Sequence, residues 1–318
     1  MKSRLVDKCY VHYQRVDRTP PSWADGVLGW TVNDRLRRRQ IIERMSTLRL
    51  PVDPLSGHQP SPLEVVIVAA GKDFGTLPYS AASALHRTGH PIAKLSLIVP
   101  ERDVAAARRI SVSLDTNTPL VVISEDDVLD DTLKQELLVR FTSRYGWILQ
   151  QLLCLEAVAQ SHSLGVLVLD ADTVITRPRV LLAEGVQVLF ESLEYHEPYY
   201  DFLRVLNPVF TEMTGSHVTH HMVQQPDVLR AILSMASIGS VTELARRVME
   251  HVDPREPSGV SLDYEFYAQG ALKLFPERIV KAKWANRYVS PPESRHPDEW
   301  QPTRKGRNYC SISAHKPN

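Results

Sequence analysis

From Leu63 onward, short uninterrupted apolar runs alternate with stretches whose apolar positions recur at helical spacing. The runs are Glu64-Val-Val-Ile-Val-Ala-Ala, Lys94-Leu-Ser-Leu-Ile-Val-Pro, Pro119-Leu-Val-Val-Ile-Ser and Leu164-Gly-Val-Leu-Val-Leu. Runs of this kind predict strands buried on both faces, as in a parallel sheet. Pro78–Thr88, Glu101–Ser111 and Arg144–His162 predict the helices between them. Farther along, Val186-Gln-Val-Leu-Phe predicts a strand, and Pro226–Ala236 and Val241–His251 predict helices. Another helix opens after Ser258-Gly-Val-Ser. Strands alternating with helices imply βαβ units. The predicted class is α/β: a Rossmann-like, mostly parallel central sheet flanked by helices, one domain over residues 63–318. Residues 1–62 have another texture. Pro20-Pro21 and the proline-rich stretch Leu50–Pro62 punctuate them. They read as a partly helical N-terminal extension.

The strand from Leu164 ends abruptly on two carboxylates, in Leu-Asp170-Ala-Asp172-Thr-Val-Ile. In open α/β sheets the ligand lies beyond the carboxyl ends of the strands. In extended chain, residues i and i+2 point to the same side. Asp170 and Asp172 can therefore face one hard cation, Mn2+ or Mg2+. Such an ion bridges phosphates and neutralises a departing diphosphate. The plainer alternative is a strand ending in a polar turn, where Asp is common.

Val-Leu-Asp-Ala-Asp-Thr-Val resembles the Asp-X-Asp motif of GT-A-fold glycosyltransferases, which use nucleotide sugars. Trp147-X-X-Gln-Gln before the acidic strand is similar to one bacterial group of largely uncharacterised GT-A-like proteins. The resemblance runs from about Leu63 to the C-terminus and implies a GT-A-like fold. It implies that the end of the first strand holds the nucleotide base, with Asp73 the acidic candidate and Ala69 and Ala70 beside it. It places the helix bearing Gln151 near the donor, where the amide could bond a sugar hydroxyl. It also implies an acid at the start of a late helix, aimed at acceptor or donor sugar. Asp263 is the first choice there and Glu265 the second, since acids at i and i+2 diverge on a helix; in inverting members this acid is the base. Several GT-A families bring a C-terminal His onto the metal. His315-Lys316-Pro317 is similar to the His-Lys-Pro of lipopolysaccharide galactosyltransferase relatives, although that family's glycines are missing. His315 would then be the third metal ligand, with Lys316 or Arg307 adding charge for the diphosphate.

Two other stretches bear on an acceptor. Tyr195, His196, Glu197, Tyr199, Tyr200, Asp201 and Phe202 suit a sugar, or equally a core helix. His217, His220 and His221 fall within five residues. If extended, His217 and His221 share one face and His220 takes the other. The preferred role for this group is lining the acceptor cleft. The acidic turn Glu125-Asp-Asp reads as charge opening the next helix rather than as a cation site.

Composition narrows the classes. The 318 residues include 37 Lys+Arg and 37 Asp+Glu, a formal net charge of zero, which argues against a nucleic-acid binder. Cys9, Cys154 and Cys310 are odd in number and far apart, so neither a disulfide framework nor a zinc ribbon is expected, and a cytoplasmic setting is the simplest. No apolar run is long enough to cross a bilayer. The short arginine run at Arg35–Arg39 leaves room for peripheral contact with anionic lipid, although a solvated helix face is preferred. The loop after the first strand lacks the glycine patterns of a dinucleotide-binding or phosphate-loop enzyme. The expected activity is metal-dependent transfer of a sugar, UDP-linked by preference, to a glycan or small hydroxyl acceptor, with inversion. The alternatives are a metal-dependent nucleotidyl or phosphoryl transferase, and a degenerate GT-A domain that binds a glycan or a partner.

Overall fold

The computed structural model describes residues 53–114, 116–192, 196–211, 215–255, 259–289, 303–304 and 307–314. The arginine-rich segment of the N-terminal extension, together with His315 and Lys316, lies outside the described residues.

In chain order the elements are β1 (Leu63–Val68), α1 (Leu77–Arg87), β2 (Ile92–Val99), α2 (Val104–Ser113), β3 (Leu120–Ser124), α3 (Asp131–Arg140), α4 (Tyr145–Gln160) and β4 (Val166–Leu169). Then come β5 (Thr173–Ile175), β6 (Leu182–Ala183), β7 (Val186–Glu191), α5 (Glu197–Leu206), β8 (His221–Gln224), α6 (Pro226–Met235) and α7 (Val241–His251). The last are α8 (Tyr267–Leu274), β9 (Ile279–Lys283), β10 (Asn286–Tyr288), the hairpin β11 (Thr303–Arg304) and β12 (Arg307–Asn308), and β13 (Ser311–Ser313).

The central sheet has the order β3-β2-β1-β4-β8. The first four strands are parallel, and β8 runs antiparallel to β4. The architecture is thus the α/β sheet with flanking helices that the run pattern predicts. The chain builds outward from β1 to β3, then returns to lay β4 on the other side of β1. A reversal of this kind opens a crevice at the carboxyl ends of the two strands flanking the switch.

Both faces of the sheet are covered, which is why its strands have almost no polar positions. On β1, Val66 and Val68 point into one core with α4, α6, α7 and α8. Leu63, Val65 and Ile67 point into the other, against α1 and the β6-β7-β9 layer. α4 is apolar nearly all round, with Ile148, Leu149, Leu152, Leu153, Leu155 and Val158 buried. That is the signature of a core helix, and each such aliphatic chain contributes about 1.5–3 kcal/mol by burial.

Shorter features follow from local chemistry. Asp130 caps α3, its Oδ1 accepting from Thr132 N at 2.8 Å and Leu133 N at 3.3 Å. The acidic turn before it is answered by Lys134, which pairs with Asp126 and, at 2.7 Å, with Asp131. Gly89 turns the chain into β2 at φ +75, and a Cβ there would stand 2.9 Å from the Arg179 carbonyl oxygen. The segment from Asp53 packs on the domain: Leu55 is buried, and Ser61 N–H donates to Leu182 O at 3.0 Å.

Three histidines are buried in their neutral form. His90 Nδ1–H donates to Ser61 O at 2.7 Å while its Nε2 accepts from Leu181 N–H at 2.7 Å. Burial lowers the pKa of His90 and of His217, and lowers His221 to about 4, with the Arg179 guanidinium adding to the effect on His221. A folded pKa below the unfolded one means that the unfolded chain binds the proton first. The contribution is therefore full above about pH 6.5 and is lost as pH falls towards 4. For His221 alone the loss amounts to about 3 kcal/mol at pH 4. The thermal midpoint should fall steeply between pH 6.5 and 4, and His221→Gln should flatten that slope; a pH series of melting curves for both chains checks it.

Candidate functional site

β4 ends at Leu169, and the next residues turn sharply. Thr173 N–H donates to Asp170 O at 3.0 Å, closing a turn around Asp170-Ala-Asp172 before β5 begins. The first turns of α1 grip this turn from the side. Ser80 Oγ lies 3.0 Å from Asp170 O and 2.6 Å from Thr173 O, and Thr76 Oγ1 lies 3.3 Å from Ala171 O. The hydroxyls of Thr76, just before α1, and of Ser80, on its first turn, thus fix the backbone that carries both carboxylates.

The Asp170 side chain is held at both oxygens. Oδ2 pairs with His220 Nδ1 at 2.8 Å, and Oδ1 accepts from Tyr264 OH at 2.8 Å. His220 also receives the backbone N–H of Asp170 at its carbonyl, 3.0 Å away. Its φ is +61, and its ring lies against Trp284 at 5.6 Å and Tyr288 at 6.0 Å between centroids. Histidine is one of the few residues that visit this left-handed region.

Asp172 is half-buried beside the last strand. β13 runs antiparallel to β5, and Ala314 N–H donates to Asp172 O at 2.8 Å. A buried chain of polar groups seats that strand. Trp284 Nε1 donates to Ser311 Oγ at 2.9 Å, Ser311 Oγ to Asn286 Oδ1 at 2.9 Å, and Asn286 Nδ2 to Ser313 Oγ at 3.0 Å. Ser313 Oγ in turn lies 2.8 Å from Thr173 Oγ1.

Asp73 stands across the crevice, after β1. Its Oδ2 accepts from Ala70 N–H at 3.0 Å, and its carboxyl is raised by burial, with Asp172 and Asp170 adding to the rise. Ala69 is buried, and its N–H completes the ladder to Ile98 O at 3.0 Å.

The two acids of the late helix part company. Leu262–Phe266 is a single π-helical turn in which Phe266 N–H reaches back five residues to Ser261 O at 3.0 Å. Asp263 is buried, and its carboxyl is pushed well up, first by burial and then by the charge of Asp170. Glu265 faces elsewhere. Its Oε1 accepts from Tyr200 OH at 3.1 Å, Ser216 Oγ at 2.8 Å and His217 N–H at 2.7 Å, and its Oε2 from Gln269 Nε2 at 2.9 Å. A carboxylate with four donors is a structural anchor. Asp263 is the one coupled to the Asp170 centre.

Gln151 corrects an expectation. Instead of reaching for a sugar hydroxyl, it is 2% exposed; its Oε1 accepts from Leu262 N–H at 2.6 Å and its Nε2 donates to Trp147 O at 3.3 Å. It holds the residue before Asp263. The histidine group divides as alternation implies: His217 bonds Phe190 O at 2.8 Å, His221 packs on the Phe190 ring at 5.5 Å, and His220 turns the other way to Asp170. His217 and His221 are buried rather than lining a cleft. Two groups escaped the sequence reading. Tyr264 carries no local signal, because its partner is 94 residues away. His220 was visible only as one of three candidates.

Asp170 thus lies in the field of both Asp73 and Asp263, and Asp172 in that of Asp73, with Lys72 offsetting Asp73 and His220 offsetting Asp263. Partly buried negative charge in excess suits a divalent cation. Among the described residues, no group of three or more His, Cys, Asp and Glu side chains could hold a metal by itself. Asp170 and Asp172 would need a further ligand from beyond the described residues or from a substrate.

A family of unknown function (DUF6492) matches residues 82–201, which include α4 and the Asp170–Asp172 turn. No curated protein matches the chain by sequence. Among solved structures, the apo form of mouse xyloside xylosyltransferase 1 is similar over 80% of this chain and 98% of that one, with a TM-score of 0.43 and 11% identity.

Removing the Tyr264 hydroxyl tests the clamp. Tyr264→Phe should lower stability by about 1–3 kcal/mol, the cost of leaving a carboxylate oxygen without its donor, with the circular dichroism spectrum unchanged; melting curves of both chains give the answer.

Proposed function

We propose that this chain is a metal-dependent glycosyltransferase of GT-A type. It moves a sugar from a nucleoside-diphosphate sugar, UDP-linked by preference, to a hydroxyl of a glycan or smaller acceptor. The observation that carries the reading is the Asp170–Asp172 turn at the switch crevice, with Asp170 clamped from both sides by His220 and Tyr264.

Each part of the crevice has a task in this reading. Asp73 and the backbone from Ala69 receive the nucleotide base at the end of β1. Asp170 and Asp172 would hold Mn2+ or Mg2+, with His315 as the further ligand and Lys316 beside the diphosphate. Bound there, the ion supplies charge neutralisation for the departing diphosphate. The backbone bond from Ala314 to Asp172 supports His315 in this role, since the chain is already at the turn one residue earlier. His220 and Tyr264 keep Asp170 in one rotamer.

Asp263 takes the proton from the attacking acceptor hydroxyl, and the product is inverted. Its burial and its nearness to Asp170 favour the protonated acid. Burial is the larger cause of this rise, and offsetting the charge on Asp170 would relieve the smaller part of it, in favour of the carboxylate form that a base needs. Buried free thiols at Cys154 and Cys310 suit a reducing, cytoplasmic setting. Among the described residues no helix is long and apolar enough to cross a membrane.

A thermal-shift panel of UDP, GDP, CDP and TDP, each with and without Mn2+, tests the reading. One nucleotide should stabilise the protein only with the ion present. Asp172→Ala should remove that shift and lower donor turnover by about 10^3-fold, the several kcal/mol such an ion supplies, with the fold intact by circular dichroism. Full activity in Asp172→Ala would remove the assignment.

A further inference from the structure

A cluster of aromatic side chains lies next to the anchors of the Asp263 turn. Trp147 on the first turns of α4 and Tyr199 on α5 bring their rings to 6.2 Å between centroids, with planes 35° apart. His196 meets Tyr199 edge-on at 4.8 Å, and the Arg144 guanidinium lies 5.7 Å from the Trp147 ring centre. All four residues are half-buried, so their outer surfaces reach solvent. This is an aromatic wall with a guanidinium and an imidazole at its two ends.

Its position relative to the site is fixed by two anchors. On the α4 side, Gln151 bonds both Trp147 O and Leu262 N–H, linking Trp147 to the residue before Asp263. On the α5 side, Tyr200, next to Tyr199, bonds Glu265, two residues after Asp263. The wall therefore straddles the turn that carries Asp263. Its height follows from α4 itself. Burial pushes the Cys154 thiol up, and the charges of Asp263 and Asp170 are close enough to add to it. Trp147 is seven residues nearer the helix start, about 10 Å along the axis.

We propose that Trp147 and Tyr199, with Arg144 and His196, form the subsite for a saccharide acceptor. This rests on the reading of the crevice as a glycosyltransferase site. A sugar ring has apolar C–H faces that pack on aromatic rings and hydroxyls that take hydrogen bonds from flanking donors. The Arg144 guanidinium supplies such donors, and the His196 ring closes the other end of the wall. Trp147 and Tyr199 are stiff, so little conformational freedom is lost when they bind. An acceptor held there lies over the α4 and α5 anchors of the turn that carries Asp263.

The test is a glycan array probed in the absence of nucleotide with the full chain, Trp147→Ala, Tyr199→Ala and Trp147→Phe, alongside the UDP–Mn2+ thermal shift of each. The wild type should retain a defined set of glycans. Trp147→Ala and Tyr199→Ala should each lose at least about 10-fold in signal, as expected when a stacking aromatic is deleted, and Trp147→Phe should recover most of it. The nucleotide shift should persist in all three variants, which also shows that they are folded. If the wild type retains no glycan, or the alanine variants retain the same glycans at the same strength, the subsite is wrong. Glycan retention that depends on Trp147, with no nucleotide shift in any chain, would keep the subsite and overturn the transferase reading instead.

Discussion

A carboxylate drawn partly out of water must be met by donors, and at Asp170 the donors come from two distant parts of the chain. His220 is 50 residues away and Tyr264 is 94. Leaving either end unmatched would cost about 1–3 kcal/mol or more for a charged group. The demand of this one side chain therefore helps fix where β8 begins and where the π-helical turn sits. It also offsets a cost in His220, whose left-handed backbone is disfavoured by about 1–2 kcal/mol. Such outliers persist where the surroundings over-determine them. Here the surroundings are the Asp170 backbone and side chain, Trp284 and Tyr288.

The same logic extends inward. The π-helical turn is a rare element, found mostly as a single turn. It is gripped at each end by a buried side chain: Gln151 at Leu262 N–H, and the Tyr200–Ser216–Gln269 set at Glu265. Gln224 Nε2 donates to the Asp263 carbonyl from below. These polar groups lie inside an otherwise apolar core, where each satisfied bond rigidifies its neighbours. What they rigidify is the backbone at Asp263.

The sheet and its helices were legible because burial on two faces leaves an unmistakable run of apolar residues, as at Val65–Val68 and Val166–Leu169. The end of the Val166–Leu169 run marked where Asp170 and Asp172 stand, whereas Asp73 was singled out by the resemblance alone. The supporting groups were not legible, for a physical reason. Gln151 and Glu265 look like solvent-facing or substrate-facing residues in one dimension. Their burial is decided by partners 111 and 48 residues away in sequence, Leu262 and His217. Short strands such as β5, β10 and β13 were missed because three-residue elements carry too little pattern. Local sequence shows where a strand stops, but not which distant donor will meet the carboxylate standing there.

The small β10-β13-β5 sheet explains how the end of the described chain is directed. β5 leaves the Asp170–Asp172 turn, so a strand antiparallel to it must travel back towards that turn. Register alone then places Ser313 opposite Thr173 and Ala314 at the Asp172 carbonyl. A strand of three residues contributes little by its ladder. Its seat is instead the buried run of Trp284, Ser311, Asn286, Ser313 and Thr173, each bonded to the next. Asn286 is central, because its amide both accepts from Ser311 and donates to Ser313. Replacing it with an apolar residue of similar size would leave two buried hydroxyls short of partners. The strand would then lose its hold at the point nearest Asp172. An amide on β10, well separated from the acidic pair in sequence, therefore sets how firmly the last described residues are delivered to the site.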